Sequence, residues 1–288
     1  MVSRMRRWAA RAALAALALG LGAAVGARDA SAQWPYEVPF VPSPQVVVDE
    51  MLRMAGVGPQ DFVVDLGSGD GRILITAAKT FGARGMGVEI DPTLIIQSEE
   101  AARQAGVSDR VKFLEQDLFK TDISVASVVT MYLLPGVNLR LRPKLLELKP
   151  GTRVVAHDFS LGDWRPDRQT TIRKNVYLWI VPANVAGTWR MRLELPQGAR
   201  ELEIELRQRY QEIDGLAREK GQVQQPLWEA KLAGEHVSFA LVDSADRDYE
   251  ASIYLEGRAA GGVMEGEYRR GVGLSQTRGR WRAVRAGP

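Results

Sequence analysis

No cysteine occurs in the 288 residues, and histidine occurs only twice, at His157 and His236. The first absence excludes disulfides, thiolate catalysis and zinc–thiolate centres. The second leaves no imidazole cluster to hold a metal, so no metal site is expected. A basic excess is lacking too, once its source is located. Met1 to Ala32 carries five arginines and one aspartate, so the formal charge of +3 turns slightly negative without that segment. The basic isoelectric point is therefore no argument for nucleic-acid binding, and no nucleic-acid partner is expected. Beyond the same segment there is no helical repeat and no low-complexity tract.

What that segment does contain is an address. Arg4, Arg6, Arg7 and Arg11 precede the alanine/leucine run Ala12 to Ala27, and Ala30-Ser31-Ala32 fits a small-x-small cleavage site before Gln33. This reads as a secretory signal peptide over residues 1–32. The alternative is an uncleaved anchor, since the run barely reaches the length of a bilayer span. Either way the chain is expected outside the cytoplasm, periplasmic or envelope-associated, with no stable span after cleavage.

The remainder divides by rhythm. Trp34 to Pro42 is proline-rich and expected to be extended. Ser43 is expected to cap a helix with Pro44 at its first position, with Val46, Val47, Met51 and Met54 facing a sheet. Strands are expected at Asp61–Leu66, Gly85–Ile90, Arg110–Leu114, Ser127–Leu133 and Thr152–Ala156. Helices lie between them: Asp70–Phe81, one capped by Asp91 and ended by Gly106, and one around Asn138–Leu148 with Pro143 as a kink or restart. Such alternation implies a parallel sheet with right-handed crossovers. Asp163–Arg173 reads as a polar loop. After it come short alternating strands at 188–195, 201–210, 228–232, 237–242, 251–255, 263–268 and 280–284. The division is therefore a leader (1–32), an α/β domain with helices on both sheet faces (33–186) and a mainly antiparallel β domain (187–288).

One stretch points to chemistry. Val63-Val64-Asp65-Leu66-Gly67-Ser68-Gly69-Asp70-Gly71-Arg72 is a strand running into a glycine turn that opens a helix. Glu89 closes the next strand, about 20 residues on. Glycines at 67 and 69 permit positive φ and close approach of a ligand to the backbone. The helix start offers free N–H groups, and an acid at that distance suits ribose hydroxyls. A dinucleotide fingerprint would need a third glycine where Arg72 stands.

These residues resemble the cofactor site of class I S-adenosylmethionine (SAM)-dependent methyltransferases. A carboxylate at Asp65 suits the cationic amino acid end of SAM and would repel a pyrophosphate. With Val41-Pro42-Ser43-Pro44 and Glu115-Gln116-Asp117-Leu118, the pattern is similar to small bacterial class I methyltransferases. It is similar also to the mitochondrial protein-lysine methyltransferases that modify the ATP synthase c-ring protein and adenine nucleotide translocase. The resemblance implies a Rossmann-like sheet and SAM as cofactor. It implies Asp65, Gly67, Ser68, Gly69 and Glu89 as cofactor-binding residues, Asp117 holding the adenine amino group, and Leu118 or Phe119 against the ring. It also implies a protein lysine as methyl acceptor.

For the acceptor side the sequence offers candidates only. Tyr132 ends the fourth strand, at the carboxyl edge where ligands bind in such sheets, and could orient an acceptor nitrogen. Asp158 could serve as a base, or His157 and Asp158 could be an ordinary buried pair. Asn138, Arg140 and Arg142 read as a solvated helix face. Trp189, Trp228 and Trp281 read as packing, and the basic end Arg269–Arg285 as solvated. Two functions stay open: an exported methyltransferase, or an exported binding module that keeps the fold as a scaffold. SAM is made in the cytoplasm. A twin-arginine signal at Arg6-Arg7 would carry a loaded protein across, although Met5 and Trp8-Ala9-Ala10 match that signal poorly.

Overall fold

The computed structural model describes residues 39–242, 252–271 and 276–287. The signal peptide read at 1–32, most of the proline-rich segment after it and the start of the 251–255 strand lie outside the described residues. No helix among those described is long and apolar enough to cross a membrane.

Apolar runs bounded by turn residues form a seven-stranded sheet. Its strands are β1 (Phe62–Leu66), β2 (Arg84–Glu89), β3 (Val111–Glu115), β4 (Val128–Met131), β5 (Arg153–His157), β6 (Arg168–Ile172) and β7 (Lys174–Ile180). Their order is β3-β2-β1-β4-β5-β7-β6, with β1 to β5 parallel and β6 and β7 antiparallel. The order reverses between β1 and β4, which opens a crevice at the carboxyl ends of those strands. The central strands are buried on both faces, hence Val63-Val64, Val128-Val129 and Val154-Val155 without alternation.

Helices α1 (Gln45–Met54), α2 (Arg72–Phe81) and α3 (Pro92–Ala105) bury Val47, Met51, Leu74, Ala77 and Ala102 in one cluster with Val63, Val128, Val155 and Val176. Asp91 caps α3 by accepting from the Thr93 N–H at 2.8 Å, and Gly106 ends it in the left-handed region, as the sequence predicts. Helix α4 (Pro135–Leu146) buries Val137, Leu141 and Leu145 at four-residue spacing.

Several expectations are corrected. Ser43 is not a cap; α1 starts at Gln45 without a side-chain cap, and the Ser43 hydroxyl bonds His157 instead. Helix α2 begins at Arg72 rather than Asp70, because Gly71 sits at φ 78°. Helix α4 begins at Pro135, whose ring suits a first helical position, and runs through Pro143. Val46 is exposed, while Val48 and Leu52 complete the buried stripe. The polar 163–173 stretch contains strand β6, an edge strand paired only with β7 among the described strands.

A second sheet of nine antiparallel strands follows: β8 (Gly187–Leu195), β9 (Gly198–Arg209), β10 (Glu212–Glu219), β11 (Gln225–Pro226), β12 (Trp228–Ala233), β13 (His236–Val242), β14 (Ser252–Ala260), β15 (Val263–Arg270) and β16 (Thr277–Arg285). β16 returns to pair with β8, and the outer strands β10 and β12 approach each other, so the sheet is nearly a closed barrel. Alternation sends Met191, Leu193, Ile204, Leu206, Phe239 and Leu255 inward and charged residues outward. Trp189 and Trp281 are buried, whereas Trp228 is exposed. Gly257 and Gly266 face each other across β14 and β15. A Cβ on Gly257 would stand 2.7 Å from the Trp281 ring, so the glycine makes room for that indole. The indole N–H donates to the Glu256 and Glu267 carbonyls, both at 3.1 Å.

Candidate active site

The turn after β1 is a backbone device. Gly67, Gly69 and Gly71 have φ of 73°, 53° and 78°. The Gly67 and Ser68 N–H groups donate to the Val88 carbonyl at 2.9 and 3.0 Å, tying the turn to β2. A Cβ on Gly67 would lie 2.7 Å from the Leu133 side chain, and one on Gly69 2.5 Å from the Phe40 ring. Leu133 and Phe40 therefore flank a crevice that any side chain on the turn would fill. Asp70 turns away from it and chelates the Arg72 guanidinium, with Nε donating to its two oxygens at 2.9 and 3.0 Å. Arg72 also donates to the Ser43 carbonyl at 3.0 Å, which fastens the strap of residues 40–44 over the helix start.

Asp65 is 1% exposed. One of its oxygens accepts from the Thr130 hydroxyl at 2.6 Å, and the other has no partner. Burial pushes its pKa up to about 7, with the negative Glu89 and Asp70 nearby adding to the rise. A buried carboxylate with a vacant oxygen fits a ligand cation such as the ammonium of SAM. The Ser68 hydroxyl is likewise buried and unpartnered. Glu89 is held by three backbone donors: Gly69 N–H at 3.0 Å on one oxygen, Ile90 and Asp91 N–H at 2.7 and 3.1 Å on the other. Each oxygen keeps acceptor capacity for a diol. The residues present thus fit SAM.

Asp117 accepts from the Phe119 N–H at 2.9 Å and lies 3.5 Å from the Lys120 ammonium. Leu118 is half-buried beside it. Sequence reading missed what fixes this loop. Lys144 donates to the Leu118, Phe119 and Thr121 carbonyls, and burial lowers its pKa. The Arg140 guanidinium lies 4.0 Å over the Phe119 ring. Asn138 is buried and donates to the Phe159 carbonyl at 3.1 Å. The 138–142 stretch is therefore a brace rather than a solvated face.

A second group gathers at the ends of β4 and β5. The Tyr132 ring lies 3.8 Å from the His157 ring and stacks towards Phe159 at 6.2 Å. His157 is buried, shares a 2.8 Å hydrogen bond between Nδ1 and Ser43 Oγ, and has its pKa lowered by burial. Asp158 adopts φ 65°, a left-handed conformation uncommon for a residue with a side chain. Its carboxylate accepts from the Lys174 ammonium at 2.9 Å, and that partner raises the Lys174 pKa. The fold thus brings Asp65, Gly67, Ser68, Gly69 and Glu89 into one crevice, Asp117 and Leu118 to the end of β3, and Tyr132 and Asp158 together beside His157.

Known proteins share this half of the molecule. Residues 65–168 match the ANTKMT methyltransferase domain family. A protein-lysine N-methyltransferase of Saccharolobus islandicus is 45% identical over 151 residues, covering 50% of this chain and 94% of that protein. A lysine N-methyltransferase of Mus musculus, named for the ATP synthase c-ring protein it modifies, is 40% identical over 136 residues, covering 46% of this chain. The chain spans only about half (53%) of that mouse relative's length. Among solved structures, an RNA methyltransferase from Salinibacter ruber in complex with S-adenosyl-L-homocysteine (SAH) is 54% identical. It covers 50% of this chain and 96% of its own, with a TM-score of 0.50.

Proposed function

The chain belongs to the class I SAM-dependent methyltransferase family that includes the protein-lysine N-methyltransferases, and from that membership we propose that its acceptor is a lysine side chain of a protein. That it is a SAM-dependent methyltransferase follows from the shared domain and the SAH-bound relative. The buried, half-satisfied Asp65 supports an intact site, because a non-catalytic scaffold would carry the desolvation of that carboxylate with no cation to offset it.

SAM supplies a methyl group already activated on a sulfonium. The protein's task is to hold and orient. In this reading Asp65 takes the ligand ammonium, Glu89 accepts from the ribose hydroxyls, and Asp117 accepts from the adenine amino group beside Leu118. On the other side, Tyr132 and Phe159 wall the approach and Asp158 receives the acceptor amine. One observation carries the lysine reading: Asp158 already holds a primary ammonium, that of Lys174, at 2.9 Å. An incoming lysine offers the same chemistry to the same oxygen. Transfer needs the neutral amine, and Asp158 can accept the proton's hydrogen bond as the amine turns its lone pair towards the methyl.

RNA is the substrate class in the Salinibacter relative's name. Charge argues against it here. The outward arginines of the β domain face glutamates or aspartates on neighbouring strands, as in Arg192–Glu201, Arg207–Asp214, Arg269–Glu256 and Arg282–Glu265. That leaves little net positive field for a polyanion. We also propose export through residues 1–32, on the strength of the sequence pattern alone. Membrane-fraction immunoblots before and after signal-peptidase inhibition test it; a single cytoplasmic band of unchanged mass would contradict it.

For the acceptor, the full chain is incubated with methyl-tritiated SAM and either poly-L-lysine or total envelope protein and RNA. Label recovered as methyl-lysine after acid hydrolysis supports the reading. Label in nucleotides would overturn it.

A further inference from the structure

The β domain is absent from the matched family segment, yet it touches the loop that carries Asp158. The loop from Asp158 to Arg165 leaves β5 and contains two fully buried side chains, Leu161 and Trp164. The turn between β9 and β10, Arg209-Tyr210-Gln211-Glu212, meets it residue by residue. Arg209 donates to Asp163 at 2.5 Å, and the Tyr210 hydroxyl donates to the other Asp163 oxygen at 3.2 Å. The Trp164 indole N–H donates to Gln211 Oε1 at 2.9 Å, and Gln211 Nε2 donates back to the Arg165 carbonyl at 2.6 Å. The Tyr210 ring stacks on Trp164 with centroids 5.9 Å apart. Glu212 pairs with Arg165 at 3.3 Å. From the opposite side, Arg142 binds Asp163 and donates to the Leu161 carbonyl at 3.0 Å, and Trp179 donates to the Trp164 carbonyl at 2.8 Å.

We propose that the β9–β10 turn is a positioning element of the methyltransferase: by gripping Asp163, Trp164 and Arg165 it sets where Asp158 and Phe159 stand, so the β domain governs the acceptor side of the site and leaves the cofactor side alone. Three facts carry this. The grip is two-sided, Gln211 serving as acceptor and donor to successive loop residues, which fixes register as well as distance. Trp164 is buried only by contributions from both sheets, with Tyr210 on one side and Trp179 on the other. Tyr210 holds φ 57°, a strained conformation for a tyrosine, sustained by the Gln208 side chain donating to its carbonyl at 2.7 Å. The bonds of this grip run to the 158–165 loop and not to Asp65, Glu89 or the glycine turn. A displacement of the loop by a fraction of an ångström moves the receiving carboxylate relative to the methyl, the kind of misplacement that lowers turnover steeply.

The inference rests on the reading of Asp158 as the acceptor-side residue, and the test separates the two. Tyr210→Ala/Gln211→Ala is made in the full chain, with Tyr210→Phe as the conservative control that keeps the ring stack. SAH affinity is measured by calorimetry, methyl transfer to poly-L-lysine by tritium counting, and hydrogen exchange over residues 158–165 by mass spectrometry with SAH bound. Expected in the double variant are SAH affinity within about twofold of wild type, faster exchange in the loop, and kcat lower by about 10- to 100-fold, with Tyr210→Phe close to wild type. Faster exchange with undiminished kcat would overturn the proposal, and so would unchanged exchange. Should wild type fail to label poly-L-lysine, the lysine reading fails on that probe. The exchange result then decides the positioning role by itself, a faster loop supporting it and an unchanged loop overturning it.

Discussion

The two sides of the crevice are built from different materials. The cofactor side is made within 25 residues, Asp65 to Glu89, largely from backbone: three left-handed glycines, paired N–H groups on the Val88 carbonyl, and a glutamate whose oxygens rest on three main-chain donors. The acceptor side is assembled from side chains of β4, β5, β7, the strap before α1 and the β9–β10 turn, so its parts are scattered from Ser43 to Glu212. Backbone geometry depends on few residue choices and can be shared by enzymes with different substrates. A side-chain assembly changes whenever one contributing loop changes. Specificity is accordingly expected on the second side, and the domain joined to this chain reaches that side through the β9–β10 turn.

That contrast can be broken most forcefully at Asp65. Asp65→Asn is expected to weaken SAM binding by about 10- to 100-fold, the loss of a charge-assisted contact, measured by calorimetry. Burial raises this carboxyl from 3.8 to about 7, so the folded chain keeps a proton that the unfolded chain releases. Unliganded stability should therefore fall as pH climbs from about 4 to about 7 and then level off, and Asp65→Asn should flatten that slope. Below about pH 7, SAM affinity should drop by up to tenfold per pH unit, since the ammonium needs the ionised form.

Gly69→Ala comes next. Its Cβ would press on Phe40 and sit at an unfavourable φ, costing about 1–2 kcal/mol, so SAM binding is expected to fall about tenfold or more. Asp158→Asn should leave SAM affinity unchanged while reducing transfer to a lysine acceptor by about tenfold, read as kcat/KM against a separate SAH titration. An equal loss on both readouts would show that the two sides are not separable. The smallest effect is reserved for Lys174→Met. Freeing Asp158 of its resident ammonium should lower the acceptor KM by about two- to fivefold with no change in melting temperature beyond the scatter expected for an exposed pair.

The same division explains what the amino-acid sequence discloses. Asp65-Leu66-Gly67-Ser68-Gly69 and Glu89 are legible because turn, strand end and acid are separated by fixed short distances that local chemistry dictates. The α3 boundaries are legible for the same reason, with a capping aspartate, a proline and a closing glycine. Ser43 misleads because a serine before Pro44 offers a cap locally, yet the buried His157 imidazole, 114 residues away, claims its hydroxyl. Asn138, Arg140 and Arg142 read as solvated because nothing nearby in the sequence announces Phe159, Phe119 or Asp163 as their partners. Strand β6 is hidden by its composition: an edge strand paired on one side needs little apolar content, and Arg168-Gln169-Thr170-Thr171 has little. The barrel strands show by alternation, but the contact of their β9–β10 turn with Trp164 depends on packing that no local pattern encodes.

The most direct measurement is a calorimetric titration of the full chain with SAH beside its Glu89→Ala variant. Micromolar binding by wild type, weakened about 10- to 100-fold in the variant, is the expected result. Equal affinity in the two proteins, both folded by circular dichroism, would contradict the assignment of the Asp65–Glu89 crevice as the cofactor side.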